Sequence, residues 1–303
     1  MITVTTAPPF ATIQDLGRTG FRDLGVPISG IADRESGVAL NSLLDNDPSA
    51  AMIEWAVAGG TLQFDSAVTL AIGGADAPCT VNGHAMQPMT PFEVSAGDEL
   101  RVNRIVRGRF LLIAIRGGIN VPVVLGSRST LVSAAIGGFE GRRLRSGDCL
   151  PVGGLALAPV ERRVALPQRI VADDAIHVVR GPQAILFDDR AWATFLDTEF
   201  TVSHASDRTG YRLEGATMAH RGSPSLPSEP TCVGAIQVPD GGAPIVIMHD
   251  GPTVGGYPKI AVIRSSCLSR FAQLAPGDKL RLVLDQATHG TRAAGFPLSP
   301  RDE

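Results

Sequence analysis

A mainly β protein of two lobes, with a few short helices, is the architecture this sequence predicts. Three observations point there. Short β-branched and aliphatic runs recur along the chain, glycine (34) and proline (22) are dispersed between them, and one turn-plus-strand unit occurs three times. At 303 residues the chain exceeds what one small core accommodates, so two lobes are expected. A composition of 44% hydrophobic and 19% charged residues belongs to a folded globular chain.

The elements follow in order. Asp33 and the apolar side made by Val38, Leu40, Leu43 and Leu44 predict a helix over 33–44, capped by the aspartate. Thr61-Leu-Gln-Phe64, Val68-Thr-Leu-Ala-Ile72 and Phe110-Leu-Leu-Ile-Ala-Ile115 read as strands. A second helix is expected over 188–196, burying Trp192, Phe195 and Leu196. Pro244-Ile-Val-Ile-Met248 and Ile260-Ala-Val-Ile263 read as further strands, and a short third helix follows over 266–274.

Two internal echoes organise these pieces. The repeated unit is Ser95-Ala-Gly-Asp-Glu-Leu-Arg-Val102, Arg145-Ser-Gly-Asp-Cys-Leu-Pro-Val152 and Ala275-Pro-Gly-Asp-Lys-Leu-Arg-Leu282. Its glycine suits a positive φ, its aspartate bonds the turn backbone, and a strand follows. The second echo is Arg18-Thr-Gly-Phe-Arg22 against Arg208-Thr-Gly-Tyr-Arg212. The same order at similar offsets suggests two related lobes, an N-terminal one over 1–160 and a C-terminal one over 161–303. The boundary is expected within 153–168, where a Gly/Ala/Pro stretch meets Glu161-Arg-Arg163, and a polar tail follows Gln286.

Several function classes are excluded by pattern. The net charge is −3 with no basic block, which gives a nucleic-acid partner no electrostatic support. Cys79, Cys149, Cys232 and Cys267 are scattered, without zinc-site spacing or a disulfide framework, so no metal is expected. The start lacks a basic and then apolar leader, and the longest apolar run, Leu111-Leu-Ile-Ala-Ile115, ends at Arg116, far short of the ~20 residues a membrane helix needs. A cytoplasmic, reducing compartment with no membrane partner is the expectation. P-loop, G-x-S-x-G and H-E-x-x-H patterns are missing, and the six histidines are isolated.

Polar residues gather in four places: 12–33, Leu125-Gly-Ser-Arg-Ser-Thr130, Ser206-Asp-Arg-Thr-Gly-Tyr-Arg212, and 234–258 with His249-Asp-Gly-Pro-Thr-Val-Gly-Gly-Tyr-Pro258. Arginine beside glycine and hydroxyls suits a carboxylate or phosphate, because its planar fork meets two oxygens. Asp207 and Asp250 suit general-base or arginine-orienting work. The bland alternatives are equally concrete. Asp207–Arg208 and Asp15–Arg18 are then turn-fixing ion pairs, Tyr257 plugs a barrel end, and Arg128 ties a loop. From the residues alone both readings stay open.

At these four segments the chain resembles the family of the 5-oxoprolinase C subunit, also called allophanate hydrolase subunit 2. It also resembles the A and B subdomains of the carboxyltransferase part of urea carboxylase. T-x-Q-D-x-G-R-x-G and G-V-P-x-S-G-x-x-D occur over 12–33, L-G-S-R-S-T over 125–130, and G-G-x-x-G-R-x-L-x-x-G-D over 137–148. S-D-R-x-G-Y-R-L-x-G, G-A-I-Q-V-P and G-G-Y-P occur over 206–215, 234–239 and 255–258. The resemblance implies a cyclophilin-like β-barrel in at least one lobe and membership of an ATP-dependent complex opening 5-oxoproline to glutamate. Its partners would be a KipI-like, allophanate hydrolase subunit 1-like protein and a lamB-type third component, with ATP bound by or with a partner. Allophanate hydrolysis, transfer of CO2 from carboxybiotin to urea, and non-enzymatic binding of a kinase-inhibitor-like partner are the alternatives it carries. Biotin would not be attached to this chain, because Lys259 and Lys279, its two lysines, lack flanking methionines.

Carried onto these segments, the implied catalytic residues are Asp207, Arg208 and Asp250. The implied substrate-binding residues are Arg18, Asp33, Arg128, Tyr211, Gln237, Thr253 and Tyr257. Arg208 and Arg128 would hold carboxylate or phosphate, and Tyr211 and Tyr257 would line the pocket. Three departures bear on the substrate: Ser228-Glu-Pro-Thr-Cys232 where the family shows S-E-G, Ser29-Gly-Ile-Ala-Asp33 without its methionine, and Asp250-Gly-Pro-Thr253 without the arginine and glutamine of D-R-Q-T.

Overall fold

Alternation builds the strands. In Ile2–Thr6 the side chains of Ile2 and Val4 are buried while Thr5 and Thr6 face out, so one face must meet another layer. The computed structural model describes residues 1–154, 175–221 and 226–285. The expected boundary within 153–168 and the tail after Gln286 fall almost wholly outside them.

Residues 2–150 form two antiparallel sheets. The first runs Cys149–Leu150, Ile2–Thr6, Gly60–Phe64, Glu99–Val102, Cys79–Val81, His84–Ala85. The second runs Phe10–Gln14, Met52–Ala56, Arg107–Ile115, Val68–Asp76, Phe92–Val94. Ile2, Val4, Ile13, Trp55, Leu62, Phe64, Ile72 and Ile113 fill the space between them. The other face of the second sheet is apolar too. It buries Met52, Ala71, Leu112 and Ala114 against Leu40, Leu43 and Leu44 of helix α1 (Arg34–Leu43) and its C-cap. Strands covered on both faces read as continuous apolar runs, as Val68–Ile72 and Phe110–Ile115 do.

Residues 176–284 form an eight-stranded sheet in the order Lys279–Leu280, Phe200–Val202, Gly210–Glu214, Ile245–Ile247, Ala235–Gln237, Lys259–Ile263, Ile176–Arg180, Leu282–Leu284. Its outermost strands are separated by Arg281 alone, so the sheet curls round into a near-closed barrel, leaving little free edge. Helix α2 (Asp189–Asp197) contributes Trp192 and Phe195 to the barrel core, and α3 (Ser265–Ala272) contributes Phe271, whose ring lies 5.3 Å from that of Tyr211. Glu229–Pro230 pairs with Val254–Gly255 as a separate two-stranded flap. The described residues are thus mainly β with three α-helices, as the strand runs predict. Among the described residues no helix is long and apolar enough to cross a membrane.

The three repeated turns are built alike. Ser95, Arg145 and Ala275 each donate a backbone N–H at 2.7 Å to Asp98, Asp148 and Asp278, three positions on. Gly97, Gly147 and Gly277 sit at φ of +89°, +95° and +93°, a region that other residues enter only at a cost.

Candidate functional site

The core of the barrel reaches Ala56 and Phe110 of the neighbouring sheet and Ala32 in the bend before α1, so the two halves share a packed junction. Polar side chains then fix its geometry. Gln273, just after α3, accepts the backbone N–H groups of Arg109 (2.9 Å) and Phe110 (3.0 Å) and donates to Phe110 O (2.9 Å) and Asp33 Oδ2 (2.7 Å). Asp33 also caps α1, accepting Ser36 N at 3.1 Å, as its sequence position predicts. Burial pushes its carboxyl above the usual range, against the pull of those donors.

Arg208 gathers a polar cluster across the junction. It donates through Nε to Asp250 Oδ2 (2.8 Å), through Nη2 to Asp250 Oδ1 (3.2 Å) and Gly30 O (2.7 Å), and through Nη1 to Glu54 Oε1. Glu54 turns its other oxygen to Ala32 N at 2.8 Å. Four of the five guanidinium N–H groups are therefore spent inside the protein. Burial works against the Arg208 charge, but Asp250 and Glu54 outweigh it and hold its pKa raised. Burial likewise raises the Glu54 carboxyl, with Arg208 opposing.

Beside this cluster a cleft of about 990 Å³ opens between α1 and α3. Ile28, Ile31, Val38, Val233 and Leu268 form its apolar walls, and Ser29, His249, Ser265 and Ser269 supply polar groups. Its floor is one unit, since Ser29 N donates to His249 O at 2.9 Å. Burial and the neighbouring Arg208 push the His249 pKa down to about 3, so the imidazole is neutral in ordinary conditions.

The residues singled out in the sequence scatter around this cleft. Asp207 does not pair with Arg208. Its Oδ1 accepts Thr209 N (2.7 Å) and Gly210 N (3.2 Å), which fixes the turn. Arg128 spends its guanidinium on Val121 O (2.9 Å) and Asn120 Oδ1 (3.0 Å) and so ties a loop. Tyr211 lies in the barrel core, fully buried, with its hydroxyl donating to Ala272 O at 2.7 Å; it lines no part of the cleft, and burial raises its pKa. Gln237, Thr253 and Tyr257 lie by the flap, where a Cβ on Gly255 would come within 2.6 Å of Gln237 Nε2.

Arg18 is fully buried. Its Nη2 donates to Ser129 O, while Nε and Nη1 find no partner. Burial lowers its pKa, with Asp15 and Asp250 pulling the other way. Asp15 instead takes Ser127 Oγ (2.6 Å), Ser129 Oγ (2.5 Å), Arg128 N (2.6 Å) and Gly17 N (2.8 Å). The echoed arginines 18 and 208 thus both address Asp250, one through its field and the other through a two-point bond.

Glu54 lies outside every motif segment, and Ser29 and His249 lie inside two of them without a role assigned to either. A signal for Glu54 existed: it stands inside the apolar run Met52-Ile-Glu-Trp-Ala56, all of which is buried in the structure, and a carboxylate in such a strand needs a partner. As for cofactors, the cleft lining holds one cation, Arg34, beside Glu35, which does not suit a triphosphate. Lys259 is buried against Glu229 at 2.5 Å, so its amine is no site for an attached group.

Comparison with known proteins agrees with this architecture. The C subunit of 5-oxoprolinase from Escherichia coli (strain K12) is 32% identical over 283 residues, covering 93% of this chain and 91% of that protein. Urea amidolyase of Lachancea kluyveri is 32% identical over 304 residues, 92% of this chain but 17% of that protein. The crystal structure of the K. lactis urea amidolyase superimposes with a TM-score of 0.86 at 31% identity, over 93% of this chain and 18% of that one. Residues 24–284 match the family model described as carboxyltransferase domain, subdomain A and B. With the fold, the four motif segments and the relatives in agreement, this chain belongs to the carboxyltransferase subdomain A and B family, as a homologue of the 5-oxoprolinase C subunit.

Proposed function

We propose that the chain is the C-type subunit of an ATP-dependent complex that opens the amide bond of a small lactam, 5-oxoproline, and that the cleft between α1 and α3 is its small-molecule site. The observation that carries this reading is the end-to-end correspondence with the C subunit of 5-oxoprolinase, 93% of one chain against 91% of the other. The cleft volume of about 990 Å³ leaves ample room for a five-membered ring. In this reading Arg208, Asp250 and Glu54 are positioning residues. They hold segment 28–32, through Gly30 O and Ala32 N, against His249. In this reading ATP is bound by or with a partner, a KipI-like, allophanate hydrolase subunit 1-like protein accompanied by a lamB-type component, and a cleft lined by one cation supports it. The compartment proposed is the cytoplasm.

Co-expression with those partners, followed by ATP-dependent glutamate formation from 5-oxoproline, tests the proposal. Ala39→Phe, on the cleft face of α1, is expected to cut turnover at least about tenfold by filling the site. Parental turnover in that variant removes the cleft from the reaction. The second reading is transfer of a carboxyl group from carboxybiotin to urea, favoured by the family description and the 0.86 TM-score with urea amidolyase. It predicts urea-dependent discharge of a carboxylated biotin carrier, and no discharge by the complex counts against it.

A further inference from the structure

The two walls of the cleft are helices from opposite halves of the molecule: α1 packs on the second sheet and α3 in the barrel. Among the described residues, the hydrogen bonds that join them gather at one end. Glu35 N, in the first turn of α1, donates to Ser269 Oγ at 3.1 Å, and Gln273 Nε2, at the C-cap of α3, donates to Asp33 Oδ2 at 2.7 Å. From there the lining runs out along both helices, to Ala39 and Ser42 on one and to Ser266 and Ser265 on the other. The cleft opens from an apex at the α1 cap.

Gln273 is set into that apex. It is 2% exposed, and all four hydrogen-bonding positions of its carboxamide are taken. Three of those bonds belong to the second sheet. Where Arg107–Ile115 pairs with Val68–Asp76, the register shifts between Arg107↔Asp76 and Leu111↔Gly74. There Arg109 N and Phe110 N donate to Gln273 Oε1 and Phe110 O accepts from Nε2, so the side chain takes the place of a missing backbone rung. Two glycines leave it room. A Cβ on Gly74 would come within 3.0 Å of Nε2 and one on Gly108 within 3.1 Å of Oε1, and both sit at positive φ, +78° and +84°.

We propose that Gln273 is a positioning residue that sets how wide the cleft opens, by locking α3 at once into the bulge of the second sheet and onto the cap of α1. Arg208 ties the barrel to the bend before α1, whereas Gln273 ties the helix that forms the wall. A wall displaced by about 1 Å is enough to weaken contact with a small ligand. That the width matters to turnover rests on the reading of the cleft as the small-molecule site; that Gln273 sets the width does not.

Pulsed electron paramagnetic resonance on the purified full chain measures the width directly. Spin labels are attached through Ser49→Cys, in the loop after α1, and Ser266→Cys, at the start of α3, with the two exposed cysteines removed by Cys149→Ser and Cys232→Ser. Gln273→Glu keeps the acceptor for Arg109 N and Phe110 N but sets a carboxylate against Asp33. It is expected to lengthen the mean distance by roughly 2 Å or more. Adding Asp33→Asn restores a donor–acceptor pair with its direction reversed and should bring the distance back, a recovery that a purely stabilising role would not give. A distance in Gln273→Glu no longer than the parent's, no recovery in the double variant, or loss of the fold in both overturns the positioning role.

In the co-expressed complex, Gln273→Glu should raise the KM for 5-oxoproline about tenfold with kcat within about twofold, as lost ground-state binding does. Failure of the functional reading looks different. A longer distance with no turnover in any complex, the parent's included, removes the hydrolase role and leaves Gln273 its own. A longer distance with parental KM and kcat removes the cleft from the reaction and likewise leaves the positioning role standing.

Discussion

At the scale of single residues the chemistry around the cleft is set by burial. His249 has no ion-pair partner among the described residues; it lies among Arg208, Asp250 and Arg34, and burial together with the two arginines depresses its pKa to about 3. The sign of the consequence follows from linkage. Between the ordinary histidine value near 6.5 and about 3, the unfolded chain binds a proton that the folded chain refuses, so stability falls as pH drops through that window. One proton is worth about 1.4 kcal/mol per pH unit. Chemical denaturation at pH 7 and pH 5 is therefore expected to show a loss roughly 2 kcal/mol larger for the parent than for His249→Gln. An identical loss in both would mean that His249 protonates freely in the fold. None of this is legible in the sequence, where His249 is one isolated histidine among six. Burial is a property of what packs around a residue. Glu54 meets Arg208, and Ser29 meets His249, only across large separations in the chain.

At the scale of elements the sequence was largely legible, because caps, turns and apolar periodicity are local. The helix expected over 33–44 is α1, with Asp33 as its cap, and the one expected over 188–196 is α2, with Asp188 accepting Ala191 N at 2.9 Å. The three Gly-Asp units share one hydrogen bond and one glycine conformation. The strand runs over 61–64, 68–72, 110–115 and 260–263 all lie in strands, several longer than the runs themselves. Asp33 shows where local reading stopped. Its capping role was evident, while its bond to Gln273, 240 residues away, was not. Asp33→Ala is expected to destabilise the protein by about 1–3 kcal/mol, combining a lost cap with one Gln273 N–H left unpaired. Asp33→Asn, which keeps the cap, should recover part of it. A thermal midpoint unchanged by Asp33→Ala would count against both roles.

At the scale of the molecule the question is what holds the junction in register. Arg208 reaches across it to Glu54 and Gly30 while gripping Asp250, and Gln273 does the same for Asp33 and Phe110. Removing one member of such a network strands the others as buried charges. Arg208→Met is accordingly expected to cost about 3–5 kcal/mol of stability, read as a lower denaturation midpoint. A variant of parental stability that merely loses turnover would instead return Arg208 to the catalytic role its motif suggested. The sequence by itself determined the fold class, the three helices, the turns and the family, since each rests on local pattern or on motifs kept in order along the chain. The tertiary structure alone decided which polar groups are spent and which are free. Arg208, Arg128, Asp207 and Tyr211 look available in their motifs and are engaged in the fold, while Ser29 and His249, in the same motif segments but with no role read from them, each keep an unpartnered side-chain atom. The physical reason is that a hydrogen bond is satisfied or orphaned by neighbours in space, and at this junction those neighbours come from distant parts of the chain.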